Sequence, residues 1–128
     1  MTSPVEDLLT GLRDQIVTPA AAGPVTLFAL SDSPDVQSAL IFNRALTDPE
    51  GRWGQGVLTL LTRGERSEPL PVHGYADPVV AKLIALTGTV FGSATVNLCE
   101  HRGSSTGVDA SKRTTRVDTF SLDLDYQA

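Results

Sequence analysis

The chain is poor in the residues that usually announce chemistry. It has one cysteine, Cys99, in 128 residues, so no intrachain disulfide framework is possible. A reducing cytoplasm is therefore the expected folding compartment. Its two histidines, His73 and His101, are far apart in sequence and neither has a metal-ligand spacing. Aromatic residues make up 5% of the chain, too few for a stacking platform on single-stranded nucleic acid. Positive charge is scarce as well: Lys and Arg total 10 against 15 Asp and Glu, a formal charge of −5. Only Lys82 and Lys112 are lysines. A protein that grips DNA phosphates has the opposite balance. No stretch approaches the roughly 18 consecutive apolar residues of a membrane span. The opening M-T-S-P-V-E-D lacks the basic and apolar regions of a signal peptide, so a soluble product made in the cytoplasm is expected. Neither a Walker lysine motif nor G-x-G-x-x-G occurs, and no cofactor is expected.

What the chain does have is periodicity. In V-D-T-F-S-L-D-L-D-Y, residues 117–126, Phe120, Leu122, Leu124 and Tyr126 alternate with Thr119, Ser121, Asp123 and Asp125. A period of two marks a strand with one face on a core and the other toward water. At the other end, Ser3-Pro4-Val5-Glu6 combines a cap, a first-turn proline and the acid of a capping box. Val5, Leu8, Leu9, Leu12 and Ile16 follow at helical spacing, which predicts a helix over residues 4–17 ending before Thr18-Pro19.

Between these ends, residues 18–24 (T-P-A-A-A-G-P) read as a linker. Strands are expected at 25–30, 39–44 and 56–63, with a turn at 31–35 and a loop at 47–55. Residues 64–75 read as a connection. Asp77-Pro78 predicts the start of a second helix carrying Val79, Val80, Leu83, Ile84 and Leu86, with Gly88 as its stop. A strand is expected at 94–102, then a long hydrophilic loop at 103–115. The order α-β-β-β-α-β-β describes one α+β domain over residues 1–128. Its mixed or antiparallel sheet has about five strands, with two helices packed on one face.

The candidate chemistry is thin. Cys99 and His101 lie two apart on one expected strand, but a nucleophile and its base normally come from separate elements, so a structural cysteine is the expectation. Asp32, Asp35, Asp48 and Glu50 read as turn formers beside Pro34 and Pro49. Trp53, in E-G-R-W-G-Q-G, is either a binding anchor or a plug at the core edge. Loops of about 12 residues without structure are uncommon, so residues 103–115 are either a solvated connection or a segment that orders against a partner. Arg102, Lys112, Arg113 and Arg116 make its base the most basic region of an acidic chain.

Four pieces, V-E-D-L-L-T-G-L-R-D-Q-I, G-V-L-T-L-L-T-R-G, D-P-V-V-A-K-L-I-A-L and R-V-D-T-F-S-L-D-L-D-Y, are spread over most of the chain. In that layout the sequence resembles the small tail terminator proteins of long-tailed bacteriophages, also called minor capsid or tail completion proteins. The resemblance implies a virion protein at the head–tail interface and no catalysis. Its partners would be further copies of itself in a ring, a hexamer by that resemblance, together with the tail tube protein and the head–tail connector. DNA would pass through the lumen without specific binding, as the acidic balance suits. Another connector or stopper protein is the alternative within the class. A small-molecule-binding or enzymatic α+β domain is the alternative outside it. On this reading the candidate assembly contacts are Arg102, Lys112, Arg113, Arg116, Asp123, Asp125 and Trp53.

Overall fold

A computed structural model describes residues 4–46 and 53–126. The expected loop carboxylates Asp48 and Glu50 lie outside them, as does most of the expected loop at 47–55. Two helical bodies pack on one face of a six-stranded sheet. The first body is α1 (Pro4–Gly11), a π-helical stretch (Leu12–Val17) and a closing turn, α2 (Thr18–Ala20). The second is α3 (Pro71–Ile84). The strands are β1 (Val25–Leu27), β2 (Gln37–Leu46), β3 (Trp53–Arg66), β4 (Thr89–Phe91), β5 (Ala94–Val108) and β6 (Arg113–Tyr126). Their order across the sheet is β1-β2-β3-β6-β5-β4. Among the described residues only β1 and β2 are parallel, so the sheet is mixed and the class is α+β, as expected.

The alternation at the end of the chain sets the core. Phe120, Leu122 and Leu124 are buried on the helix side of β6, while Asp125 is exposed on the other. Leu58 and Leu60 of β3, Leu40 of β2 and Val96 of β5 join them. Leu8, Leu12 and Val17 of the first helical body and Val79, Val80 and Leu83 of α3 close the layer. Each such side chain contributes roughly 1.5–3 kcal/mol by leaving water. Two glycines are required by contacts rather than turns. A Cβ at Gly56 would lie 2.3 Å from the Phe42 ring, and one at Gly11 would lie 2.3 Å from the ring of Phe91. At Gly92, in the β4–β5 turn, φ is +55°, and the carboxylate of Asp7 fills the space a Cβ would take. Asp7 Oδ2 accepts there from Ser93 N (3.1 Å) and Ser93 Oγ (2.8 Å), which ties α1 to the hairpin.

Several expectations are corrected. Thr18-Pro19 does not end the first helix, because Pro19 falls in the opening positions of a new turn, where a missing N–H costs nothing. The linker at 18–24 therefore begins only after Ala20. Pro78 does not start the second helix but lies inside it, and Pro71 occupies the first turn instead. Val72 and Ala76 are buried in phase with Val79, Val80 and Leu83, so one apolar stripe runs through the proline. The segment expected as a connection, 64–75, divides between the end of β3 and the start of α3. Strand β4 was not anticipated. The largest correction is at 103–115: β5 runs on to Val108 and β6 starts at Arg113, so the expected loop is a β-hairpin arm with a short turn.

Candidate functional site

Three polar constructions stand out, and the candidate assembly residues are divided among them. The first is the turn of the arm. Asp109 Oδ1 accepts from the main-chain N–H groups of Ser111 and Arg113, both at 2.9 Å, and Asp109 Oδ2 accepts from Arg113 Nε at 2.8 Å. These bonds stabilise the carboxylate, led by the Arg113 N–H, and hold Asp109 below the ordinary carboxylate value. Lys112 takes a positive φ of 63° in the same turn and is exposed.

The second construction holds residues 31–36 of the crossover, 28–36, between the parallel strands β1 and β2. Parallel strands usually need a dozen or more residues between them, so a connection this short has to be held down. Arg63 does this with four main-chain bonds: Nε to Asp35 O (2.8 Å), and Nη2 to Ser31 O (2.7 Å), Pro34 O (2.8 Å) and Asp32 O (3.4 Å). Arg113 Nη1 donates to Asp32 O at 2.7 Å. Gln37 Oε1 accepts from Ser31 N at 2.7 Å, and Gln37 Nε2 donates to Ser31 O at 3.0 Å. Burial, and then the neighbouring Arg113 charge, pull Arg63 below its usual value.

The third is a seam between α3 and the arm. Asp118 is fully buried, on the helix side of β6. Arg116 reaches it with Nε 3.0 Å from Oδ2 and Nη2 3.1 Å from Oδ1. Arg116 Nη1 also donates to Asp77 Oδ1 (2.6 Å) and to His73 Nδ1 (3.2 Å) on α3. Burial lowers the guanidinium value, but Asp118 and Asp77 outweigh it and the net shift is upward. His101 Nε2 lies 2.9 Å from Asp118 Oδ1, and Ser104 Oγ donates to the same oxygen.

Serine, histidine and aspartate thus meet here, but not as a catalytic relay. In a relay one imidazole nitrogen faces the nucleophile and the other faces the acid. Here Ser104 Oγ, at 3.3 Å, and Asp118 both face Nε2. Cys99 is no better placed as a nucleophile. It is buried, and burial pushes its thiol up to about 11. Among the described residues no group of three or more His, Cys, Asp or Glu is arranged to hold a metal ion.

Arg113 and Arg116, counted in the sequence as part of a basic surface, are therefore turned inward, each side chain about 10% exposed or less. Arg102 and Lys112 remain outside. Arg102 is 58% exposed, lies 3.2 Å from Glu100 and donates to Ser121 Oγ at 2.8 Å. It borders a shallow concavity of ≈ 520 Å³ on the sheet face opposite the helices. Asn43, Gln55 and Val57 line one side, and Leu98, Glu100 and Asp123 the other. Val57 and Leu98 are exposed apolar residues of that face, at 42% and 38%, and Val90 of β4, at 60%, lies on the same face. Asp125 is exposed beside it, and the Trp53 backbone pairs with Asp125. The sequence signal for this open face was the Ser121–Asp123–Asp125 side of the last strand. The seam had no signal, because its members come from α3, β5 and β6.

No family model matches the chain, and no curated protein does. Twenty-one chains of solved structures match. One of them, which carries only a sequence identifier for a name, is similar with a TM-score of 0.59 at 19% identity, over 97% of this chain and 96% of that chain. At that identity the likeness shows the fold: an α+β protein with a mixed sheet.

Proposed function

We propose that the chain is a structural virion protein, a tail terminator that forms a ring on the end of a phage tail tube, stops its polymerisation and presents a surface to the head connector. The observation that carries this reading is how the polar groups are used. The buried arginines and aspartates brace an arm and a crossover, while the open face and the sheet edges are left to meet other molecules. The element order on which the resemblance rests supports it as well. The reading is tested by adding the purified chain to tail tubes and imaging them by negative stain. A closed annulus should appear at one end, and capped tubes should no longer lengthen when tube protein is added. A chain that never associates with tubes, and tubes that grow on in its presence, would sink the reading.

A further inference from the structure

We infer that copies of this chain join edge to edge, residues 98–103 of β5 in one copy adding to residues 41–45 of β2 in the next. The inference deepens the ring reading and rests on it for the partner, a second copy.

The sheet has two partly uncovered edges. β4 pairs only with Ala94, Thr95 and Val96, so from residue 98 onward the outer side of β5 has no strand beside it among the described residues. β1 pairs only with Ser38, Ala39 and Leu40, and Phe28 N closes that ladder on Leu40 O at 2.8 Å. From Ile41 onward β2 is likewise unaccompanied on its outer side among the described residues. Such an edge presents unpaired N–H and C=O groups, a template for another strand. Proteins blunt such edges with charged residues (lysine above all), proline or bulges; L-C-E-H-R-G and I-F-N-R-A hold neither proline nor lysine, and their charges are Glu100, Arg102 and Arg44, with the bulge at Arg102.

The two windows fit each other in level and direction. Reading across the sheet, Ile41 aligns through Thr59 and Thr119 with Gly103, and Asn43 through Val57 and Ser121 with Glu100. Ala45 aligns through Gln55 and Asp123 with Leu98. Three antiparallel pairings separate β2 from β5, so the two strands run in opposite directions. A copy turned so that its β2 lies beside β5 of the first would then meet it as an antiparallel pair, with residues 41–45 opposite 98–103. The neighbour's β1 covers the next part of its β2, Ser38–Leu40, which is level with Ser104–Thr106 of β5, and the bulge at Arg102, between the levels of Phe42 and Ile41, bends β5 just before that part. Because the two edges differ, the contact is head-to-tail, the kind that forms a ring when the rotation from copy to copy closes and a filament when it does not.

Two measurements test this. The first is amide deuterium exchange of the native chain, free and bound to tails. The second is oxidation of the double variant Asn43→Cys/Glu100→Cys beside each single variant, Cys99 being buried. Edge pairing predicts slowed exchange at 98–103 and 41–45 on assembly, and a ladder of covalent multimers from the double variant alone. Assembly on tails with both windows exchanging as in the free chain overturns edge pairing and leaves the terminator reading standing. Covalent dimers from Glu100→Cys alone also overturn it, since β5 would then pair with its own copy. A multimer ladder without any capping of tails keeps the edge pairing and removes the terminator reading. A chain that stays monomeric with and without tails removes both.

Discussion

The hairpin of β5 and β6 has two halves built by different physics. At its base, Val96, Cys99, Phe120, Leu122 and Leu124 lie on the helix side and are held by burial of apolar surface. Beyond Asp118 the same two strands run on as an arm. Its inward residues are Arg116 and Thr114, paired through the main chain with the exposed Thr106 and Val108, and its fastening to α3 is the Arg116–Asp77 ion pair. Apolar burial is not directional, so the base tolerates substitutions of similar volume. The Arg116–Asp118 pair within β6 is buried, so it demands geometry and losing one partner strands a charge, whereas the tie to α3 ends on Asp77, 67% exposed. The arm is therefore specified more sharply than the base, although it contributes less apolar burial.

The largest expected effect comes from breaking the seam. Asp118→Ala leaves Arg116 buried without its main partner and should cost ~3–5 kcal/mol, the usual cost of halving a buried pair. Denaturant unfolding measures it, and a loss below that of an exposed-site change would show that water replaces the carboxylate. Next is the base: Leu122→Ala, at a residue 1% exposed, should cost ~2–5 kcal/mol. Exchange of the arm amides separates the two variants. Asp118→Ala should free the arm before global unfolding, and Leu122→Ala should not.

Acid gives a gentler break. Asp109 has a lowered value in the folded chain, so the support it gives the turn is present above the unfolded carboxylate value of about 3.9 and is lost as pH falls through the folded one. Arm-turn amide signals followed by NMR should change in that range in the native chain and not in Asp109→Asn. The smallest effect is expected on the open face. Asp123→Asn should change stability by no more than ~0.5 kcal/mol. If it matched Leu122→Ala, the two faces of β6 would not differ as described.

The base was legible in the sequence and the arm was not, for the same reason. Alternating Phe120, Leu122 and Leu124 announce a one-sided strand, and Leu8, Leu12, Val79 and Leu83 announce the helices that cover it. In the arm, G-S-S-T-G-V carries no apolar alternation, and its composition is that of a loop. Its strand character comes from main-chain pairing with β6 and from side chains on α3, a long-range arrangement that composition does not encode. The helix boundaries failed locally. Pro19 and Pro78 both look like punctuation, yet Pro19 opens a new turn and Pro78 sits inside a helix whose buried stripe runs past it. Val72 and Ala76 in phase with Val79 were the available signal for the longer α3. The candidate contacts were separable only in three dimensions, where Arg113 and Arg116 proved to be internal braces and Arg102 and Lys112 did not.

The grip on residues 31–36 has a consequence for how this chain can change. Arg63, Gln37 and the Arg113–Asp32 bond all read carbonyls or an amide, groups that nearly every amino acid supplies. The letters at 32 and 33, whose side chains point outward, are therefore nearly interchangeable, while Arg63 is not. Two descendants of one ancestor could differ at 32 and 33 and still share the path of this crossover. Their kinship would survive in the arginine that holds the loop and vanish from the loop itself.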